Sequence, residues 1–253
     1  MLPAAPRAGS DLCSDHPAHP GQEQRSAHGS RCPTPSTAGE EAFCGLVLGQ
    51  ALSDCADRSK FIRDRKALTK EQIIHLDRCG IPNYQWSALD VNSRFKLMAY
   101  SRERSWTNSL CWYLYVISWL RSHGVQAQIV FTFDHGEEFG GQSWLKVAER
   151  RKLIRGFGCR LIQNHKGHCE ENAHVERSHR TDDDEFYIPR VTHIQNEQDL
   201  PDEAMGYVYY CNNIRDHPAL GYETPFANLK RQMPDLDDSI HAPIPALLDK
   251  VAV

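Results

Sequence analysis

Ile129-Val130-Phe131-Thr132-Phe133-Asp134-His135-Gly136-Glu137-Glu138-Phe139-Gly140-Gly141 decides how this chain is read. Its apolar first half has the length and β-branched content of a buried strand, and it ends on an acid. The glycines that follow suit a tight turn, Gly136 being the residue that lets the backbone fold back after the strand. A second acid stands in Asn172-Ala173-His174-Val175-Glu176-Arg177, inside a polar stretch of helical character over residues 170–185. One carboxylate at a strand end and another on a later helix is the donor pattern of a site that holds two divalent cations ~3.5–4 Å apart for phosphoryl transfer.

The bulk composition is compatible with that reading. The chain has 253 residues, 25% charged and 40% hydrophobic, with a formal net charge of -4. A length of this order supports one domain with a sizeable core plus appendages. A net negative balance does not announce a nucleic-acid binder, but phosphates are held by local basic patches rather than by global charge. The nine cysteines include no C-x-x-C pair, so they read as isolated reduced thiols rather than a zinc ribbon or a disulfide framework. No apolar run approaches the length of a membrane span, and the N-terminus lacks the apolar segment of a signal peptide, so a cytoplasmic protein is expected.

Residues 1–68 are rich in Pro, Gly, Ser, Ala and His. That composition predicts a disordered tail, with one short helix around Phe43 to Leu52. Cys13, His16, His19 and Cys32 fit no trusted zinc spacing. Beyond the tail, a core over 69–232 and an extension over 233–253 are expected. Strands are predicted over 73–77, 84–89, 95–100, 128–133 and 159–162. Helices are predicted from Thr107 or Asn108 to about His123, over 143–153, over 170–185 and over 203–213. This is an α/β order with a mixed central sheet covered by helices.

Four blocks, taken in order, resemble the catalytic core of DDE transposases and retroviral-type integrases, over roughly residues 70–250. Asp134-His135-Gly136-Glu137-Glu138-Phe139 is similar to the block carrying the family's second catalytic acid. Asn172-Ala173-His174-Val175-Glu176-Arg177 is similar to the block carrying the third. Asp90-Val91-Asn92-Ser93-Arg94 resembles the D-x-x-S-R of the second strand. Tyr209-Tyr210-Cys211-Asn212-Asn213-Ile214-Arg215-Asp216-His217, followed by Thr224-Pro225-Phe226, resembles the family's C-terminal signature. The resemblance implies a ribonuclease-H-like fold with a five-stranded mixed sheet. It also implies strand cleavage and strand transfer at mobile-element ends, two Mg²⁺ or Mn²⁺ ions as cofactors, and DNA and a homo-oligomeric assembly as partners, with no membrane.

The same resemblance assigns residues. The first acid lies on the first strand upstream of the D-x-x-S-R block. Asp77 closes the predicted strand Ile73-Ile74-His75-Leu76 and is chosen over Asp90, which is read as a buried acid bonded to Ser93 or Arg94. Asp77, Asp134 and Glu176 are then the catalytic and metal-binding set. Glu138 and Asn172 are expected to support them, with an exposed loop acid the plainer reading of Glu138. Lys146, Arg150, Arg151, Lys152, Arg155, Arg160 and Lys166, with Arg180 on the last helix, are expected to meet DNA phosphates, against the plainer reading of a solvated helix face. His165, His168, Cys169 and His174 read as a loop with lone histidines rather than a zinc site. The rival functions are a silent, truncated remnant that at most binds DNA, and a ribonuclease-H-like nuclease that cuts without strand transfer.

Overall fold

The computed structural model describes residues 55–133, 135–141, 143–163 and 173–250, with the side chains of 55–57 outside the description. The chain divides into two units, Met1–Gly45 and Leu46–Val253, and every described residue belongs to the second. The helix expected around Phe43 and the cysteine–histidine set of the tail lie outside the described residues.

The central strand is one that the sequence reading did not expect. β1 (Cys55–Phe61) pairs antiparallel with β2 (Tyr84–Asp90) on one edge and parallel with β4 (Ile129–Phe133) on the other. β3 (Lys96–Ser101) extends the sheet beyond β2, and β5 (Cys159–Gln163) extends it beyond β4. A two-residue β6 (Ala246–Leu247) adds in parallel to β3. The order is β5-β4-β1-β2-β3-β6, a mixed sheet of six strands where five were expected. The expected tail boundary is corrected at 55–68: that stretch holds β1 and the buried Ile62 and Leu68. The extension over 233–253 is corrected too, since Leu236, Ile240 and Leu248 are buried in the core and β6 closes the sheet edge.

The predicted strand over 73–77 is a helix, α1 (Lys70–Arg78). Thr69 and Gln72 form a reciprocal capping box at its start, and Gly80 follows its end with φ 63°. A four-residue apolar run cannot separate strand from helix by periodicity, and here the cap decides. α2 (Trp106–Ser122) starts on an Ser105 cap, and α3 (Trp144–Arg155) on a Ser143 cap. α4 (Ala173–Asp182) runs through a π turn, Asp183–Tyr187, into the short α5 (Ile188–Arg190). α6 (Asp199–Asn213) and α7 (Pro225–Gln232) follow, the latter with Thr224 as cap and Pro225 in its first turn.

Strand alternation sorts the core into two layers. Trp86, Ala88, Leu97, Ala99 and the apolar residues of β4 pack against α2 and α3, with Trp112, Tyr113, Val116 and Ile154 among them. Met98 and Tyr100 face the other way, onto Leu76 of α1, Phe186 and Tyr187 of the π turn, and Ala204, Tyr207 and Val208 of α6. Among the described residues, no helix is long and apolar enough to cross a membrane.

Candidate active site

α4 crosses the second face of the sheet, and β1 meets it with alternate side chains. Arg58 donates from Nη1 to Glu176 Oε1. Lys60 pairs with Asp183 and donates from Nζ to the His179 carbonyl at 2.9 Å. The intervening Ser59 points to the opposite side and donates from Oγ to Glu138 Oε1 at 2.6 Å. β1 is therefore bound to α4 by its even-numbered residues and to the turn after β4 by Ser59.

That register sets the backbone of Asp57 beside the last residue of β4. Asp57 is the Cα partner of Phe133, the residue immediately before Asp134 in the chain. Its neighbour Arg58 holds Glu176 in the first turn of α4. The backbone of Asp57 is thus paired with the residue that precedes Asp134 in the chain, and its sequence neighbour Arg58 pairs with Glu176. The Asp57 and Asp134 side chains lie outside the described residues.

Asp77 is elsewhere. It sits in the last turn of α1, its side chain largely exposed, and accepts from Arg63 Nε at 2.7 Å. The strand beside β4 is β1, not the segment ending at Asp77, so the physical ground for choosing Asp77 is removed. Asp90 follows the reading given it: it is buried, and its Oδ2 accepts from Ser93 N at 2.6 Å and Ser93 Oγ at 2.5 Å.

Glu138 is buried rather than an exposed loop acid. Besides Ser59 it has Arg104 Nε at 3.5 Å from Oε2. The basic stretch divides. Arg150 is buried: Nη1 donates to Ser109 Oγ at 2.7 Å, Nη2 to the Glu138 carbonyl at 2.9 Å, and the guanidinium lies 3.7 Å from the Trp106 ring centroid. Its expected DNA role is corrected, because a cation used this way inside the core cannot reach a phosphate in solvent. Lys146, Arg151, Lys152, Arg155 and Arg160 are exposed, Arg151 also donating from Nε to the Leu161 carbonyl at 3.1 Å. Arg180 is exposed on α4. Lys166, Asn172, His165, His168 and Cys169 lie outside the described residues.

Behind Glu176 the same helix is anchored by a buried polar network. Asp182 pairs with Lys96 and accepts from Gln85 Nε2 at 2.7 Å and Tyr207 OH at 2.9 Å; Tyr187 OH donates to Gln85 Oε1 at 2.6 Å. Burial pushes the Asp182 carboxyl up, but Lys96, His179 and the hydrogen bonds from Lys96 and Gln85 outweigh it and hold it below its usual range. Burial also lowers the Lys60 ammonium and lifts the Asp183 carboxyl, each against the pull of the other.

Asp57, Arg58 and Lys60 were missed because Cys55-Ala56-Asp57-Arg58-Ser59-Lys60-Phe61 lacks the apolar content of a central strand. The usable signal was topological: a mixed sheet in which β4 and β2 share a neighbour requires a strand ahead of β2, and the alternation from 55 to 61 supplies it.

No protein-family model matches the sequence, and a search of curated proteins finds no match. Solved structures do match. A chain of the cryo-electron-microscopy structure of the simian T-cell lymphotropic virus intasome in complex with PP2A regulatory subunit B56 gamma superposes with a TM-score of 0.52 at 9% identity, covering 71% of this chain and 54% of that one. A chain from the crystal structure of the catalytic core domain of BIV integrase, crystal form I, gives a TM-score of 0.45 at 15% identity, covering 71% of this chain and 95% of that one. This chain thus spans about half the length of the first of these. The fold reached from the strands upward is integrase-like.

Proposed function

We propose that this chain is the ribonuclease-H-like catalytic core of a DDE-type transposase or integrase, with Asp57, Asp134 and Glu176 as its acids. The observation that carries the reading is the pairing of Asp57 with Phe133 in a chain where Arg58 holds Glu176. The donor chemistry fits Mg²⁺ or Mn²⁺, since carboxylates are the hard oxygen ligands these cations prefer. When bound, a pair of such ions would stabilise the attacking and leaving oxygens of a phosphodiester and lower the pKa of the incoming water or 3′-hydroxyl. The chain's own part is positional. β1 carries Asp57 beside the last residue of β4, α4 carries Glu176, and Ser59 with Glu138 ties the turn after β4 back to β1. Exposed Lys146, Lys152, Arg155, Arg160 and Arg180 would hold DNA by its phosphates without reading sequence.

A non-cutting, DNA-binding reading is favoured by one observation: Glu176 is already paired with a cation, Arg58. Incubation of the full chain with supercoiled plasmid and with oligonucleotide ends, in Mg²⁺ or Mn²⁺, separates the two. On the enzyme reading, metal-dependent nicking and joining appear, and Asp57→Asn or Glu176→Gln each lower them by at least about 10²-fold, each amide removing a negative charge on which the cations depend. Asp77→Asn leaves them unchanged. DNA binding by the parental chain with no cutting in either metal would establish the non-cutting reading instead.

A further inference from the structure

A concave site lies beside α4. It is a cleft of about 310 Å³ between the β2–β3 turn, α4 and the segment after α6. Arg94 enters from the turn with a left-handed backbone, φ 64°. His174 and Arg177 line it from α4, Arg215 and His217 from the segment after α6, and Tyr207 from α6. Three chain segments far apart in sequence therefore converge on one hollow with cationic or cation-capable groups.

The acids nearby offset Lys96 and Arg215 rather than the whole cationic set. Asp182 faces the cleft but is taken by Lys96, Gln85 and Tyr207. Glu185 is held by Arg215 through Nε at 3.1 and 3.0 Å and Nη2 at 2.9 Å. Asp90 draws on Arg94 electrostatically, yet its Oδ2 is committed to Ser93. Arg94 Nε and Nη1 and His217 Nδ1 are buried atoms with no hydrogen-bond partner. Leaving such groups unmade is costly, the more so for a cation, and natural structures tolerate it chiefly where a ligand completes the set. Burial, with Arg94, Arg215, Arg177 and His174 around it, holds the His217 imidazole below its usual range, a further sign of surplus positive charge. An arginine keeps its proton at any working pH, so the hollow stays cationic.

We infer that this cleft is a phosphate-binding site, in which Arg94 and Arg177 clamp the anion and His217 supplies a further hydrogen bond from beneath. A guanidinium fork matches the tetrahedral oxygens of a phosphate, and two forks from different elements fix its position. The phosphate arrives as a free anion or as the backbone of a nucleic-acid strand, and both present the same oxygens. The inference does not depend on the cleavage reading, because Glu176 is not among the described residues that line the cleft.

Calorimetric titration of the full chain with inorganic phosphate, followed by titration with a short single-stranded oligothymidylate, tests this. Saturable phosphate binding is expected, weakened about tenfold or more by Arg94→Asn, a residue that tolerates the left-handed backbone, and separately by Arg177→Gln, on an exposed helix position. Arg78→Gln, exposed in the last turn of α1 and away from the cleft lining, should leave phosphate binding unchanged. Competition between oligothymidylate and phosphate identifies a strand backbone as the source; phosphate binding without competition identifies the free anion. Absence of saturable phosphate binding by the parental chain overturns the inference. So does parental affinity in both the Arg94 and the Arg177 variants. Equal loss in Arg78→Gln would make the binding a general effect of surface charge and overturn it equally. Loss of strand cleavage with phosphate binding intact leaves this site standing and removes only the enzyme reading.

Discussion

The two ends of α4 carry acids in opposite circumstances. Glu176, in the first turn, has a side chain 48% exposed and one cation beside it, Arg58, itself 32% exposed. Asp182, at the last position, is wholly buried and satisfied by Lys96, Gln85 and Tyr207. Exposed ion pairs contribute little to stability, whereas breaking a buried pair strands a charge in a medium that cannot solvate it. One end of the helix is therefore fixed, and the other is held loosely enough to exchange its partner. The contrast teaches which carboxylate is structural without reference to any relative.

The largest test is at the fixed end. Asp182→Ala should destabilise the fold by about 3–5 kcal/mol, because Lys96 is left buried and unpaired. Urea denaturation monitored by tryptophan fluorescence checks it, and a loss within about 1 kcal/mol would erase the distinction between the two ends. Arg150→Ala should cost about 3 kcal/mol by the same measurement, from its lost hydrogen bonds and its stacking on Trp106. Arg155→Ala, on the exposed face of the same helix, should stay within about 0.5 kcal/mol.

The next test is acid. Burial holds His179 neutral, lowering its pKa to about 3, with Lys96, Lys60 and Arg58 adding to the fall against Asp182. The unfolded chain takes up a proton near the ordinary value of 6.5 that the folded chain refuses. The stability this neutrality secures is complete above 6.5 and declines as pH falls from there towards about 3, by at most about 1.4 kcal/mol per pH unit. His179→Gln should flatten that slope; an unchanged slope would place the acid-sensitive group elsewhere. Asp182, held below its usual 3.8, contributes stability present above that value and lost only at still lower pH. The smallest effect belongs to the loose end: Arg58→Gln should change stability by less than about 1 kcal/mol, and a larger loss would mean that Glu176 is anchored after all.

Much of this was legible in the residues, unevenly. β2, β3, β4 and β5 and the helices α2 and α3 announce themselves by apolar pattern, although α2 is capped by Ser105 rather than by the expected Thr107 or Asn108. The α4 acid was legible because a polar helix with an acid in its first turn has a recognisable form. β1 was not, because its residues face partners supplied by distant segments. Arg58 looks like surface until Glu176 is beside it, and Lys60 until Asp183 is. Such a strand is polar because the site is polar, and local composition cannot tell it from a tail. Arg150 misled in the reverse direction: a basic run was read as one surface, but Val147, Arg150 and Ile154 form the buried stripe of α3.

β1 also sets the order in which the sheet can assemble. Its edge with β2 closes from Phe61 to Tyr84, a short excursion through α1, whereas its edge with β4 joins Asp57 to Phe133 across β2, β3 and α2. Pairings distant in sequence are reached slowly, because loop closure comes before any contact that rewards it. The β1–β2–β3 meander is the half of the sheet that can form while the chain is still being made. The edge on which the acids meet is completed late, after the chain has returned through β4, so a refolding experiment followed by pulsed hydrogen exchange should see β4 protected after β2.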